Sequence, residues 1–194
     1  MSRTEQLDEI IARYDLNSHP FYQDWRAGTL PVEKLRDYAV EYGRFVGTIA
    51  DGWETVGEQG YAQEERDHEK MWAAFKLSIG TRGASNHPQT HNLVTVATNL
   101  FGATPDAYGA LYAFEAQQPN TTQSKLAGLV EHYQVEGAGL EYFEVHASDF
   151  AEAELLRQKM AGLSEEEFAR TKAACSLMCS AMWCALDGIY YAAA

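Results

Sequence analysis

Cysteine is scarce in this 194-residue chain: there are three, at positions 175, 179 and 184. An odd number crowded together is no disulfide framework and fits a reducing compartment. Basic side chains are also few, with 15 Lys and Arg against 28 Asp and Glu, a formal net charge of −13. An excess of that sign argues against nucleic acid and anionic membrane as partners, because phosphate binding needs a basic face. It leaves metal open, since carboxylates are ligands for hard cations. No run approaches about 20 consecutive apolar residues, so no membrane-spanning helix is expected. The opening MSRTEQLDEII lacks the basic start and apolar stretch of a signal peptide, and a cytoplasmic location is the expectation. Strand signals are nearly absent, with no Asn-Gly hairpin and no sustained alternation of period two. There is no Gly-rich phosphate loop, no Gly-x-Ser-x-Gly elbow and no basic-aromatic stripe.

What the chain does have is apolar material, 46% hydrophobic and 12% aromatic, in helical register. Leu7, Ile10, Ile11 and Tyr14 mark one buried helix face. Ser18 is placed to cap a short helix through Trp25, which Gly28 ends. Leu35, Tyr38, Ala39, Tyr42, Phe45, Val46 and Ile49 predict a helix from Val32 to about Val56, and Met71, Trp72, Phe75 and Ile79 another over 60–79. Gly80 to Pro88 reads as loop. Helices are expected over 90–101 and from Thr104 or Pro105 to Gln118, with a turn at Pro119–Thr122 and a further helix over 125–133. A long helix over 137–160 follows, then a last one opened by a Ser164–Glu167 capping box and running to Tyr190. The chain is therefore expected to be all-α, about eight or nine helices in a single bundle-like domain spanning 1–194.

Few of these residues suggest chemistry. His87, His91 and His132 lie in polar surroundings, and His19 before Pro20 suits a capping or packing role. His68 directly precedes the core-like Met71–Trp72, and His146 lies about one turn before Asp149. Imidazole and carboxylate converging between helices make an iron or manganese site, or else a core histidine satisfied by a neighbouring carboxylate. Glu115 stands in an apolar run, where a carboxylate must be paired, protonated, bound to a cation or led out to solvent at the helix end. Tyr38 and Tyr42 share a face with Phe45, with Glu41 beside it, a face able to line a pocket. The cysteines, without a second pair or a nearby histidine, read as small buried side chains.

Five segments, in order from 17 to 190, resemble one family. Asn17-Ser18-His19-Pro20-Phe21-Tyr22 through Trp25 and Gly28-Thr29-Leu30 is similar to the opening of the haem-oxygenase-like, TenA/PqqC-type proteins. Tyr38 to Val46 resembles their next helix, Phe114-Glu115-Ala116-Gln117-Gln118-Pro119 their "YESQ.P" segment, and Tyr142-Phe143-Glu144-Val145-His146 their "YF.VH". Trp183-Cys184-Ala185-Leu186-Asp187-Gly188-Ile189-Tyr190 resembles their "LW.FLDG.Y" ending. The most similar subgroup is the CADD-like non-haem iron, or diiron, oxidases.

The resemblance implies a haem-oxygenase-like helical bundle and an iron-dependent oxidoreductase acting on a small-molecule substrate in biosynthesis. Iron, as one or two ions, or manganese in its place, is the implied cofactor, O₂ the co-substrate, and a homodimer a family-level expectation. Carried over by position, the metal ligands are Glu58, His68, Glu115 and His146, with Glu64 or Glu65 competing with Glu58. Tyr42 and Glu41 would line the substrate chamber and carry the catalytic assignment. The family's His-x3-Asp-x2-His helix is broken here: Phe150 and Ala153 occupy the Asp and second His positions. Asp149 falls one residue early, a rotation of about 100°, and can serve only if the helix is bulged or rearranged. His68, Glu115 and His146 alone would suffice for one iron. A metal-free TenA- or PqqC-like enzyme and a non-catalytic ligand-binding or interaction protein are the alternatives. Haem is disfavoured, because the first helix has no histidine.

Overall fold

The computed structural model describes residues 1–81 and 86–192. The part of the expected 80–88 loop at 82–85 lies outside the described residues. Within them every element is helical: α1 (Arg3–Ala12), α2 (Pro20–Ala27), α3 (Val32–Val46), α4 (Ile49–Thr55), α5 (Gln59–Ser78), α6 (Pro88–Leu100), α7 (Thr104–Glu115), α8 (Gln118–His132), α9 (Glu141–His146), α10 (Ala151–Ala161) and α11 (Glu165–Tyr190), with 3₁₀ turns at Leu16–Ser18 and Gly137–Gly139. The all-α expectation holds.

Three boundaries differ from the periodicity. The helix expected over 32–56 breaks at Gly47–Thr48 into α3 and α4. Pro119 opens α8 rather than a turn; at the first positions of a helix its missing N–H is no loss. The helix expected over 137–160 is interrupted twice, leaving a 3₁₀ turn, α9 and α10. Apolar spacing alone cannot see such breaks, because the buried face continues across them.

The two ends of the sequence meet in the interior. His19, fully buried, is the N-cap of α2: its Nδ1 accepts the Phe21 N–H at 3.0 Å. That fixes the tautomer, so Nε2–H donates to Asp187 Oδ1 of α11 at 3.1 Å. Burial holds this imidazole below its ordinary pKa despite the opposing pull of Asp187, which keeps it in the neutral form that the cap requires. The cap expected at Ser18 is displaced by one residue; the Ser18 hydroxyl donates instead to the Asp15 carbonyl at 2.7 Å. The capping box at the start of α11 forms as expected, with Ser164 Oγ accepting the Glu167 N–H at 3.2 Å and Ser164 N–H donating back at 2.7 Å.

α11 runs through the centre, packed against α7, α6, α1, α3 and α2. By length and mean hydropathy it could cross a membrane, contrary to the expectation that no segment would, but 56% of its most apolar window is buried inside the protein. It serves as the core helix. Its closest approach is to α7 at Gly109, where an added Cβ would stand 2.0 Å from the Thr171 carbonyl oxygen. A second close approach joins α3 to α5, where Trp72 Nε1 donates to the Ala39 carbonyl at 2.8 Å over Gly43. This contact seats α5, and with it the helix face bearing His68.

α8 contributes a buried lysine. Lys125 is 3% exposed, its Nζ 5.0 Å from the Tyr22 ring centroid and 6.0 Å from that of Phe143. Burial alone lowers its pKa to about 7. Above that pH the folded protein holds a neutral amine while the unfolded chain keeps its proton, so stability gains with rising pH.

Two outcomes follow. Gly109→Ala forces a methyl into backbone and should cost about 1–3 kcal/mol, read as a lower denaturation midpoint at unchanged slope. Between about pH 7 and 9 the unfolding free energy of the wild type should rise by up to about 1.4 kcal/mol per unit from this group, and Lys125→Met should remove that part of the slope. An unchanged slope in the variant contradicts the assignment to Lys125.

Candidate metal centre

Five side chains from four helices converge where α5, α7, α9 and α10 meet. Glu65 and His68, one turn apart on α5, face inward together. Glu115 is the last residue of α7, His146 the last of α9, and Glu152 lies in the first turn of α10. All five are at most 9% exposed. They form two overlapping trios, Glu65–His68–His146 and Glu65–Glu115–Glu152, each with ligand-capable atoms within 4.8 Å of one another. Glu65 belongs to both.

The hydrogen bonds leave coordinating atoms open. His146 Nδ1–H donates to the Tyr142 carbonyl at 2.7 Å, so the neutral ring presents an unprotonated Nε2 inward. That Nε2 is 3.9 Å from Glu65 Oε1 and has no hydrogen-bond partner. His68 Nδ1 lies 3.0 Å from Glu65 Oε1, and the two imidazoles stand edge to face at 4.4 Å between centroids. Glu65 Oε2 and both oxygens of Glu115 are buried without a hydrogen-bond donor. Removing the partner of a buried charge typically costs about 3–5 kcal/mol. Three carboxylates packed this closely therefore require protons or cations among them.

Their titration reflects the crowding. Burial pushes Glu115 well above the usual carboxylate range, and the charges of Glu152 and Glu65 push the same way. Burial and Glu65 raise Glu152 to about 8. For Glu65 burial acts upward too, but the imidazoles of His146 and His68 outweigh it and hold the carboxyl low. Burial acts to lower His68, yet Glu65 carries it above its ordinary value. The donor set, two imidazoles and three carboxylates, suits iron or manganese. The orphaned oxygens and the bare His146 Nε2 are atoms that a cation would satisfy, so the residues fit the group.

The structure thus brings together His68, Glu115 and His146, three of the residues carried over by resemblance, with Glu65, one of the two competitors of Glu58, and adds Glu152. It does not bring Glu58 or Asp149. Glu58 precedes α5 at its N-cap and pairs with Lys159 of α10. Glu65 occupies the inward position instead, one turn ahead of His68. That i, i+3 spacing was the available signal. Asp149 Oδ1 accepts the Ala151 N–H at 2.9 Å and so shapes the start of α10. The helix is indeed rearranged after His146, but the break at 147–150 turns Glu152 inward and leaves Phe150 58% exposed. The interruption has no signature in apolar spacing, which is why Glu152 was missed.

Of the two chamber residues, Glu41 faces another way. It is fully buried, paired with Arg44 at 3.2 Å, and accepts from the Thr90 hydroxyl and from the His87 N–H at 3.3 Å. It ties the start of α6 to α3. Tyr42 is buried, stacks on Tyr38 at 4.7 Å, and lies close enough to Glu115 for that carboxylate to raise its pKa, after the larger effects of burial and Tyr22. Tyr38 O–H in turn meets Tyr22 O–H at 3.0 Å. On the α9 side Tyr142 packs against Trp72 at 4.7 Å and accepts from Gln118 Nε2 at 3.0 Å.

Comparison with known proteins agrees with this geometry. Residues 53–180, which include all five clustered side chains, match the family model described as an iron-containing redox enzyme. Residues 4–51 match the TENA/THI-4/PQQC family. The 4-aminobenzoate synthase of Nitrosomonas europaea is 31% identical over 96% of this chain and 90% of its own. That of Chlamydia pneumoniae is 28% identical over 73% of each chain. Among solved structures, a TenA homologue from Pseudomonas syringae superposes with a TM-score of 0.78 at 15% identity, covering 97% of this chain and 92% of its own. A CADD-like protein of unknown function from Nostoc punctiforme gives 0.65 at 19%, covering 97% and 95%. With the fold and a sequence match spanning the whole cluster in agreement, this chain belongs to the iron-containing redox enzyme family of haem-oxygenase-like proteins.

Proposed function

We propose that this protein is a non-haem iron oxygenase of small-molecule biosynthesis that forms a 4-aminobenzoate-type aromatic amine. The observation that carries the iron reading is the pair of trios sharing Glu65, buried and short of hydrogen-bond donors. The product class rests on the named relatives, of which the one from Nitrosomonas europaea matches across nearly the full chain.

With the carboxylates ionised and the imidazoles neutral, one divalent ion leaves the cluster one charge negative and two leave it one positive. Both are one unit from neutral, so the arrangement decides: the two trios that share Glu65 provide one place for each of two ions. His68 and His146 would hold one ion with Glu65; Glu115 and Glu152 would hold the other. Bound there, iron supplies the redox chemistry by which dioxygen oxidises an organic substrate. The chain supplies the rest. The Tyr142 carbonyl orients His146, Trp72 fixes the helix that bears His68, and the Tyr22–Tyr38–Tyr42 series offers phenol protons on the Glu115 side. Water is excluded by the aromatic packing, which strengthens every interaction within the cluster.

A metal-free catalyst on the same fold would have to keep Glu115 and Glu152 protonated, and metal counting separates the two readings. Protein expressed with Fe(II) should carry about two irons per chain. Glu65→Ala should lose both, and Glu152→Ala about one, whereas Glu58→Ala and Asp149→Ala should keep the wild-type count. Wild-type protein holding no transition metal ends the iron reading. Iron-loaded protein given air and the small-molecule fraction of a cell extract as the source of substrate should release 4-aminobenzoate, identified by mass, and the same mixture held anaerobic should not. If iron and O₂ are consumed without that product, the product class is wrong while the metal assignment stands.

A further inference from the structure

A cavity of about 340 Å³ opens between α1, the turn that follows it, the α7–α8 junction and α10, and none of its lining residues belongs to the carboxylate and imidazole cluster. One wall is a buried amide held at both ends: Gln117 Oε1 accepts the Leu16 N–H at 3.1 Å, and its Nε2 donates to the Ala113 carbonyl at 3.0 Å. The fully buried Tyr112 joins two other wall residues. Its O–H donates to Asp8 Oδ1 at 2.6 Å, and its oxygen accepts from Arg157 Nε at 2.9 Å. Asp8 and Arg157 thus share one neutral phenol and are not paired with each other. Each keeps unspent capacity. Asp8 Oδ2 receives no hydrogen bond, and of the Arg157 N–H groups only Nε–H makes one, with Glu154 Oε2 3.5 Å from Nη1. Asp15, in the turn after α1, accepts the Asn17 N–H on Oδ1 at 3.0 Å and leaves Oδ2 open. Asn17 Oδ1 is itself buried without a donor. Ile11, Ala12 and Ala116 supply an apolar surface between these groups.

We propose that this cavity binds a free α-amino acid with an apolar side chain, its ammonium on Asp8 and Asp15 and its carboxylate on the Nη groups of Arg157. Opposite charges bordering one cavity ordinarily close on each other. Here the Tyr112 hydroxyl stands between them, so each is left for a ligand that carries both signs. An ammonium brings three donors to the carboxylate oxygens, and a carboxylate matches the planar fork of a guanidinium. A ligand of one charge would leave either the two aspartates or the arginine unanswered. The volume lies at the lower end of small-molecule sites, which run from about 300 to 1,000 Å³, and the apolar surface would cover an aliphatic side chain. Because Gln117 and Tyr112 are already fixed, little has to be ordered on binding. Ala116 and Gln117 directly follow Glu115, and Arg157 shares α10 with Glu152. A bound amino acid would therefore bridge α1 to both of those helices. The inference does not rest on the iron reading.

Full-length protein as purified, dialysed to equilibrium against radiolabelled L-leucine, should bind one molecule per chain with a Kd below about 1 mM. L-Leucinamide, which lacks the carboxylate, and 4-methylpentanoate, which lacks the ammonium, should each compete about tenfold less well than unlabelled leucine. Asp8→Asn still accepts from Tyr112, and Arg157→Met keeps a stem against the Tyr112 ring; each should weaken leucine binding about tenfold. Asp15→Asn keeps the acceptor for the Asn17 N–H and should weaken it several-fold. Glu9→Gln removes a carboxylate of α1 that does not line the cavity and should leave the Kd unchanged. The two Asp→Asn variants retain the acceptors that the fold uses, so they decide the matter even where Arg157→Met fails to fold. Absence of leucine binding up to about 10 mM overturns the proposal. So does a single-charge analogue that competes as well as leucine, or a Kd that both Asp8→Asn and Asp15→Asn leave unchanged.

Discussion

The packing of three carboxylates into a water-poor interior is the constraint on which the rest of this structure depends. Glu65, Glu115 and Glu152 are each at most 3% exposed, and two imidazoles are the nearest groups able to offset them. An arrangement of this kind persists only when the surrounding fold is strong enough to impose it and protons or a cation relieve it. The imposing elements are visible: the helix contact at Gly109, the indole bond from Trp72 to the Ala39 carbonyl, and the His19–Asp187 link that closes α2 onto α11. The first and last join helices through α11, and Trp72 sits one turn after His68 and packs on Tyr142, which packs on His146. The tension is local, while the restraint is distributed across the molecule.

How much of this was legible in the sequence depended on the kind of signal. The all-α architecture was legible because helical spacing of apolar residues reports burial directly. His68, Glu115 and His146 were legible because each interrupts or abuts an apolar face, where a polar group demands a reason. Glu65 was legible only as a competitor, in a run of charged residues where one inward carboxylate resembles its outward neighbours. Glu152 was hidden by the break between α9 and α10, which changes the rotational phase of everything after His146. Glu41 illustrates the converse: buried and charged as a functional residue would be, it holds α3 to the start of α6.

Conformational stability and chemistry are linked here by topology. The cluster spans positions 65 to 152 and draws on four helices, so no single helix contains it. Any ion held by this cluster would be bound only by the folded state and would stabilise that state by mass action. Without a cation the cost falls on protons, which Glu115 and Glu152 hold above the usual carboxylate range.

The break at 147–150 has an evolutionary reading. In an uninterrupted helix, the identity and phase of a ligand after His146 are tied to it by a fixed rise and rotation, so exchanging one donor for another means preserving the spacing. Here a short irregular segment separates the two, and Asp149 caps its exit. The rotation of α10 can be reset by the length of that segment without disturbing His146. A carboxylate on α10 thus reaches the cluster at a rotation that a helix continued from His146 would not give it.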